Sequence, residues 1–455
     1  MMKQKKHFDK ETLMGCLIAS LVLVSSIHFA FGVTKGSDTN LLPTATLELL
    51  PVPSAGSVSF EVDSLNVIQD NQHALDPIFR LLDSLRSGKD TVLTIVHLGD
   101  SHLQAGYNTG KIMRLMQHDF GNAGRGWISP LKLSKTNEPD DYFIRSENNS
   151  WVSGRITQSA PKCLIGPGGI GIQTNLHNVN LDVSIAPNNG MGYSFNKAIL
   201  YRHPQAAFLQ PSDPDHRIVA LKGADTTDPA LVADTFCLPK LTDVLSLKGV
   251  ADKVDSTNTG SSDAFMNTFY GLSLTNGNPG VLYHSIGVNG ALYENYTKES
   301  YVRQLALLKP TLLIISLGTN ESFGRNFNKA DFEKQIDRFV TMLKTYMPET
   351  TLMLTTPAEC YKRTRVKKKR VYVRNTRTEQ VAQTIVNYAR EKGIACWDLF
   401  SATGADGSCK SWYKAGLFGK DRVHFTVEGY KEQGTLFYKA FIKKYNNHLE
   451  QNGNL

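Results

Sequence analysis

The sequence predicts an α/β protein with a mostly parallel sheet that an antiparallel β region interrupts. Short apolar runs alternate with helical patterns up to residue 135 and again from residue 281. Between them, over residues 136–280, short apolar runs are broken by Gly, Pro, Asn and Asp, which is typical of antiparallel strands. The 455 residues exceed what a single core usually holds, so two or three domains are expected.

Each element of the α/β part has its own signal. Apolar residues at helical spacing predict a helix over 74–85. The run TVLTIVHL at 91–98 predicts a buried strand, and a helix is predicted to follow at about 106–118. After the β region, the sequence predicts strands at 281–286, 311–317, 351–355 and 393–397, and helices at about 301–308, 330–346, 376–392 and 426–444. In such a sheet, functional residues lie at the carboxyl ends of the strands.

The first 33 residues predict a signal peptide or an N-terminal membrane anchor. Four lysines among the first ten residues precede 21 residues without a formal charge, 13–33. Ala30-Phe31-Gly32 offers a cleavage site, although the apolar run is also long enough to span a bilayer uncleaved. We therefore expect an exported protein, periplasmic or in the cell envelope, with residues 34–73 as a linker that contains one candidate strand at 58–62.

The positive charge is concentrated in one segment. The formal net charge is +8, and the run 362–374 alone contains eight Lys or Arg and no acid. A nucleic-acid-binding protein would spread its charge along a face, so no nucleic-acid partner is expected. Charge runs are usually solvated loops, which is the prediction here. The alternative is an electrostatic landing site for an anionic partner such as a cell-envelope polymer.

The six cysteines do not form a Cys-x-x-Cys motif, which argues against a zinc ribbon or a thioredoxin-like site. Five of them lie in the body of the chain, and this odd number predicts at least one unpaired thiol. The histidines also lack metal-ligand spacing. We therefore expect neither a metal ion nor another cofactor.

Ser101 is the candidate nucleophile. It stands in Gly-Asp-Ser-His, where the strand at 91–98 leads into a helix. A hydroxyl nucleophile needs a base, a group that orients the base, and donors for the oxyanion. Asp421 and His424 form Asp-x-x-His just before the last predicted helix. We expect His424 to accept the Ser101 proton and Asp421 to hold the other imidazole nitrogen.

Three donors are candidates for an oxyanion hole. They are the side-chain amide of Asn320, the backbone N–H of Gly290 and the backbone N–H of Ser101 itself. Each motif alone would be a common turn, but all of them follow strands or precede the last helix, in an order that chance rarely produces. The neighbouring residues His102 and Glu321 are candidates for substrate contact.

Together these motifs resemble those of the SGNH (GDSL-like) hydrolase superfamily. GDSH, GVNGA, GTNE and DRVH match its four blocks in the family's order, over about residues 75–130 and 281–447. The resemblance implies a three-layer, flavodoxin-like fold with Ser101, His424 and Asp421 as the triad. It also implies that residues 74–135 and 281–455 are two parts of one hydrolase domain. Glu321 departs from the aspartate of many members.

Longer stretches of the sequence resemble one group within this superfamily. VHLGDSHLQAG and GNAGRGW look like bacterial peptidoglycan O-acetylesterases, which also carry a β-sandwich resembling a carbohydrate-binding module. The resemblance implies that residues 136–280 form such an insert. It also implies a serine esterase that removes O-acetyl groups from an acetylated envelope glycan through an acetyl-Ser101 intermediate. An O-acyltransferase using the same site and a non-catalytic envelope glycan-binding protein are the alternatives.

Overall fold

The computed structural model describes residues 64–147, 150–176, 178–187, 192–212, 219–225, 228–249, 266–324 and 327–453. The predicted export segment and the candidate strand at 58–62 lie outside the described residues. Within the described residues, no helix is long and apolar enough to cross a membrane.

Nineteen strands are described. They are β1 (Ile68–Gln69), β2 (Val92–Gly99), β3 (Gly126–Ile128), β4 (Tyr142–Arg145), β5 (Val152–Arg155), β6 (Ile170–Thr174), β7 (Asn180–Ile185), β8 (Phe195–Arg202), β9 (Leu209–Pro211), β10 (Val219–Asp225), β11 (Val232–Thr242), β12 (Val244–Gly249), β13 (Asn267–Thr275), β14 (Gly280–Gly287), β15 (Leu312–Ser316), β16 (Thr351–Thr355), β17 (Tyr361–Val366), β18 (Lys369–Arg374) and β19 (Ala395–Trp397).

Eleven helices accompany them in the described part of the chain. They are α1 (Asp76–Arg86), α2 (Ser101–Gln104), α3 (Tyr107–Phe120), α4 (Tyr293–Tyr296), α5 (Glu299–Ala306), α6 (Thr319–Ser322), α7 (Lys329–Tyr346), α8 (Thr376–Glu391), α9 (Leu399–Ala402), α10 (Ser408–Lys414) and α11 (Val427–Gln451).

The central sheet has six strands in the order β1-β19-β16-β15-β2-β14. All neighbours are parallel except β1, which pairs antiparallel with β19 at the edge. The five parallel strands are those that the apolar runs predict. The helices form two packed groups, one of α1, α3 and α11 and one of α4, α5, α6, α7 and α8. This arrangement matches the predicted alternation of strands and helices.

The region between β2 and β14 consists of antiparallel sheets, as its broken apolar rhythm predicts. One sheet has the order β10-β11-β8-β13-β6-β5, with β3 also paired to β13, and a second has the order β4-β7-β12-β9. The pairing of β3 brings residues 126–128 into this region, ahead of the predicted start at residue 136. The sandwich arrangement of the two sheets stays a prediction.

The β region and the α/β part share one hydrophobic core. Trp127 and Tyr270 belong to the same buried cluster as Val96 of β2. The Tyr301 hydroxyl of α5 donates to the Pro167 carbonyl over 3.0 Å. The buried aromatic side chains therefore join the inserted strands to the parallel sheet without an intervening linker.

The basic run is a β-hairpin, so the prediction of a loop is wrong. Strands β17 and β18 pair along their whole length, from Tyr361 opposite Arg374 to Val366 opposite Lys369. Valine, threonine and tyrosine alternate with the basic residues, and these residue types favour strands. The expectation of solvent exposure is confirmed, because residues 365–370 are all exposed.

The cysteines in the described part of the chain are free thiols, which confirms the expectation of at least one unpaired cysteine. They are Cys163, Cys237, Cys360, Cys396 and Cys409. Four of the five are buried.

Candidate active site

The carboxyl ends of three neighbouring strands converge on the site. Ser101 begins α2 directly after β2, the strand between β14 and β15 in the sheet. The segment that contains Gly290 follows β14, and Asn320 lies in α6 after β15. Asp100 caps α2 through a 2.9 Å hydrogen bond from the His102 amide to its Oδ1. Parallel strands therefore bring together residues that lie more than 200 positions apart in sequence.

The predicted nucleophile, base and orienting group form a continuous hydrogen-bonded chain. Ser101 Oγ lies 2.8 Å from His424 Nε2. His424 Nδ1 lies 2.7 Å from Asp421 Oδ2. Asp421 Oδ1 also accepts hydrogen bonds from the amides of Val423 and His424, each 3.0 Å long. The short turn before α11 thus fixes the carboxylate and the imidazole as one unit.

The pKa values of His424 and Asp421 are shifted in the directions that catalysis needs. The hydrogen bond to Asp421 raises the pKa of His424 above its usual value, against the opposing effect of desolvation. Desolvation raises the pKa of Asp421, but its hydrogen bonds from the His424 side chain and the two amides outweigh this and hold it well below its usual range. Asp421 is therefore ionised at neutral pH and favours a protonated imidazole in the transition state.

Asn320 points its amide toward the nucleophile turn. Its Nδ2 donates to the Ala291 carbonyl over 3.0 Å and to Asp100 Oδ2 over 3.2 Å. Desolvation raises the pKa of the buried Asp100 carboxyl to about 7. An oxyanion in the cleft would compete with the longer of these two hydrogen bonds for the Asn320 amide.

Gly290 lies on a loop that an unpredicted amide network holds in place. Gly290 has φ +80° and no atom within 4 Å of where a Cβ would stand. The preceding amide, of Asn289, donates to Gln104 Oε1 over 2.8 Å. Gln104 Nε2 in turn donates to Asn137 Oδ1 over 2.7 Å, and Asn289 Nδ2 donates to the same oxygen over 2.9 Å. Asn137 lies between β3 and β4, so this network links α2 and the β region to the loop at 288–291 that carries Gly290, which we call the oxyanion loop.

These groups line an open cleft of about 490 Å³. The side chains of His424 and Asp421 are 43% and 53% exposed, so the site is accessible to a large substrate. The other lining residues are mostly small or polar: Ser101, Ala105, Asn137, Asn289, Gly290, Thr319, Asn320, Val423 and Tyr430. Among the described residues, no three His, Cys, Asp or Glu side chains are grouped as a metal site requires.

Two candidates for substrate contact occupy supporting positions instead. Glu321 is 8% exposed, and its Oε1 accepts the Tyr293 amide at the start of α4 over 2.8 Å. Its carboxylate therefore stabilises the segment after Gly290, and it does not line the cleft. His102 lies behind the nucleophile, where its Nδ1 is 3.1 Å from the Tyr430 hydroxyl and its Nε2 is buried without a partner.

His102 and His97 line a small internal cavity of about 40 Å³ beneath the nucleophile turn. Desolvation lowers the pKa of both to about 3, so both are neutral. His97 is hydrogen-bonded to the Tyr283 hydroxyl at 2.7 Å and to Ser316 Oγ at 2.6 Å, so both of its ring nitrogens have partners. Among the described residues near Ser101, His102 Nε2 is therefore the one buried histidine nitrogen without a hydrogen-bond partner.

Known proteins share the fold of this chain, and part of the chain matches a family profile. The profile of the GDSL-like Lipase/Acylhydrolase family matches residues 253–432, which include Gly290, Asn320, Asp421 and His424 but not Ser101, which precedes the β region. A solved peptidoglycan O-acetylesterase shares 20% sequence identity with a TM-score of 0.66, over 84% of this chain and 99% of that chain. At that identity, the likeness shows a shared fold.

Two other solved structures match a smaller part of the chain. A lipase/acylhydrolase from Enterococcus faecalis is 18% identical over 36% of this chain and 75% of that chain, with a TM-score of 0.27. A GDSL-like lipase from Bacteroides thetaiotaomicron is 18% identical over 36% of this chain and 76% of that chain, with a TM-score of 0.28. No curated protein matches the chain. The matched profile and the shared SGNH hydrolase fold show that this chain is similar to GDSL-like lipases and acylhydrolases, and they support a serine esterase.

Proposed function

We propose that the protein removes O-acetyl groups from a cell-envelope glycan such as peptidoglycan, through an acetyl-Ser101 intermediate. The observation that carries this proposal is the chain of hydrogen bonds from Ser101 through His424 to Asp421, which opens directly into the cleft. The fold shared with a peptidoglycan O-acetylesterase supports the choice of glycan.

In the first half of the reaction, Ser101 Oγ attacks the carbonyl carbon of the acetyl ester while His424 Nε2 takes its proton. The carbonyl oxygen becomes an oxyanion, which the backbone N–H groups of Ser101 and Gly290 and the amide of Asn320 would stabilise. The tetrahedral intermediate then breaks the bond to the sugar oxygen. His424 gives its proton to that oxygen, so the free sugar hydroxyl leaves and the acetyl group stays on Ser101.

In the second half, water replaces the sugar. His424 takes a proton from the water as its oxygen attacks the acetyl carbonyl. The bond to Ser101 Oγ breaks, His424 returns the proton to Ser101, and the product leaves as acetic acid, which gives its remaining proton to solvent. Asp421 stays ionised throughout and stabilises the imidazolium that forms twice in each cycle.

The walls of the cleft suit a sugar better than a lipid. Asn137, Asn289 and Asn320 present amide groups beside the nucleophile, where they can exchange hydrogen bonds with sugar hydroxyls. The exposure of His424 leaves room for a long chain to pass across the site. An acetyl group needs little apolar surface, and Ala105 and Val423 supply it.

An envelope substrate also requires export of the enzyme. The four lysines before the uncharged run 13–33 support this part of the proposal. Fractionation of cells that produce the full chain and a chain without residues 1–33 tests it. The full chain is expected outside the cytoplasm and the shortened one inside. An identical distribution of the two would contradict export.

The catalytic proposal predicts that Ser101→Ala lowers kcat for p-nitrophenyl acetate and for acetylated peptidoglycan by about 10³-fold or more. Mass spectrometry of the wild-type protein, quenched during turnover of acetylated peptidoglycan, is expected to find an added mass of ~42 Da on the peptide that contains Ser101, because an acetyl group replaces the hydroxyl hydrogen. Ser84→Ala, at a partly exposed position on α1 that does not line the cleft, is the matched control and should keep full activity. Wild-type turnover by Ser101→Ala would refute the mechanism.

A further inference from the structure

The basic hairpin of β17 and β18 is attached directly to the turn that carries the catalytic acid and base. The Tyr361 amide, at the start of β17, donates to the Arg422 carbonyl over 2.8 Å. The Arg422 guanidinium lies 5.3 Å from the centre of the Tyr372 ring in β18. Since Arg422 stands between Asp421 and His424, the base of the hairpin adjoins the candidate active site.

The strand register separates the hairpin into two unlike faces. Residues that are directly opposite in an antiparallel pair lie on the same face, and the face changes at each residue along a strand. Arg363 lies opposite Tyr372, and Arg365 lies opposite Arg370, so these four side chains share one face. We call this the arginine face. The other face holds mostly Val and Thr, with Lys362 and Lys369: Lys362, Thr364, Val366, Lys369, Val371 and Val373.

The arginine face places like charges close together, which destabilises the folded protein. Side chains directly opposite in an antiparallel pair have Cβ atoms about 5 Å apart, and like charges in that position are destabilising. Arg365 and Arg370 form such a pair, with Arg363 two residues away on the same face. Lys367 and Lys368 add two charges at the turn, where both adopt positive φ values of 45° and 67° that favour Asn and Gly.

Few of these charges are neutralised within the protein. Arg374 forms ion pairs with Glu359, Glu379 and Asp406 at the base of the hairpin. In the described part of the chain, the other seven basic residues of the run form no salt bridge. The exposed guanidinium groups at 363, 365 and 370 therefore remain available to an anionic ligand.

We propose that the arginine face binds an anionic polysaccharide, one that carries carboxylate or phosphate groups, and guides it to Ser101. Arginine binds both anions through two parallel N–H groups, which suits it to repeated charges along a polymer. Six residues per strand extend the face about 20 Å from Arg422, enough to contact several sugars of one chain. This proposal rests on the proposed function, since it specifies the substrate class of that same site.

The decisive variant is R363Q/R365Q/R370Q, which removes three charges from the arginine face. K329Q/R338Q/K344Q is the matched control, because it removes three charges from exposed positions on α7, none of which lines the cleft. Two polymers serve as probes: O-acetylated alginate, which has a carboxylate on each sugar, and O-acetylated dextran, which has none. Acetate release is measured with both polymers at low salt and in 0.5 M NaCl, together with turnover of p-nitrophenyl acetate.

At low salt, the hairpin variant is expected to raise KM for acetylated alginate about tenfold with little change in kcat, since each lost ion pair weakens binding modestly. Turnover of acetylated dextran and p-nitrophenyl acetate should not change. High salt should reduce the difference between variant and wild type, because it screens exposed charges. R363K/R365K/R370K, which keeps the charges, should recover part of the affinity. An alginate KM equal to wild type in the hairpin variant, or an equal rise in the α7 control, would overturn the proposal.

A binding measurement separates this proposal from the proposed function. Binding of alginate to Ser101→Ala, with and without the three hairpin changes, does not require turnover. If alginate binding depends on the three arginines, the proposed binding surface is supported even when neither polymer releases acetate. In that case only the proposed reaction fails. Hairpin-dependent binding to phosphatidylglycerol vesicles, without binding to alginate, would identify a membrane-binding surface and overturn the inference.

Discussion

At the scale of single residues, the two ring nitrogens of His424 face two oxygen atoms with different roles. Ser101 Oγ must lose a proton to Nε2, whereas Asp421 keeps a proton on Nδ1. Asp421 raises the pKa of His424, which has one favourable and one unfavourable effect on catalysis. A histidine with a raised pKa is a stronger base, but at acidic pH it is already protonated and cannot accept the Ser101 proton.

Asp421→Asn should therefore change both the rate and its pH dependence. In the wild-type protein, kcat/KM for p-nitrophenyl acetate should rise with pH through a pKa above 6.5, the usual value for histidine. Loss of the carboxylate lowers the pKa of His424, so the rise should move to lower pH, while the maximal rate falls about 10³–10⁴-fold. Glu428→Gln, which removes a nearby exposed charge that does not contact His424, is the control. A rise at unchanged pH would show that Asp421 does not set the pKa of His424.

Residue type and spacing predict the residues that carry the chemistry, but not the residues that position them. Ser101, Asp421 and His424 have few alternatives once a serine hydrolase is considered. Gln104 gives no such signal, because a glutamine in a short helix is ordinary and its partner Asn289 is 185 positions away. Glu321 does not line the cleft as its neighbour Asn320 does, because adjacent residues on a helix point in different directions.

At the scale of secondary structure elements, the contact between α3 and α11 sets the distance between nucleophile and base. The helix α3 follows the nucleophile turn, and α11 follows the His424 turn. They approach so closely at Gly434 that a Cβ there would lie 2.7 Å from the Asn108 carbonyl and 2.8 Å from Lys111 Cβ. Asn108 Nδ2 also donates to Gln433 Oε1 over 3.1 Å, which ties the two helices together beside this contact.

Gly434→Val should consequently reduce both stability and activity. Helix propensity alone predicts a gain, because glycine is a poor helix former. The close approach predicts instead a loss of about 1–3 kcal/mol in the free energy of unfolding, and a fall in kcat as the two helices move apart. Lys443→Val, at an exposed position of α11, measures the small cost of a valine in this helix without the contact. Urea unfolding and p-nitrophenyl acetate kinetics provide the measurements. A Gly434→Val protein more stable than wild type would contradict the packing argument.

The basic run shows where element prediction from sequence fails. Its charge density predicts a solvated loop, whereas the alternation of Val, Thr and Tyr with Lys and Arg favours strands. The turn also lacks the Asn-Gly or Asp-Gly pair that usually marks a tight hairpin, because Lys367 and Lys368 occupy the left-handed positions. The parallel strands were easier to predict, since each is a continuous apolar run buried on both faces.

At the scale of the whole molecule, the inserted β region and the α/β part depend on each other. Two glycines mark how closely they pack. A Cβ at Gly169 would lie 2.8 Å from Val288 Cγ2, and one at Gly126 would lie 2.5 Å from the Tyr283 carbonyl. Since Val288 begins the oxyanion loop, the β region supports the candidate active site directly. The alternation of patterns along the chain predicted where this region lies, but not that it shares a core, because its partners are distant in sequence.

A chain that lacks residues 136–280 should therefore lose activity even toward small esters. The deletion removes Asn137 from the cleft, and it removes Pro167, whose carbonyl accepts the hydrogen bond from the buried Tyr301 hydroxyl. We expect the shortened protein to be insoluble, or to turn over p-nitrophenyl acetate at less than about one hundredth of the wild-type rate. For the intact protein, the shared core predicts one cooperative thermal transition by calorimetry over residues 64–453. A soluble deletion variant with wild-type turnover, together with two separate transitions in the intact chain, would show that the β region is an independent accessory module.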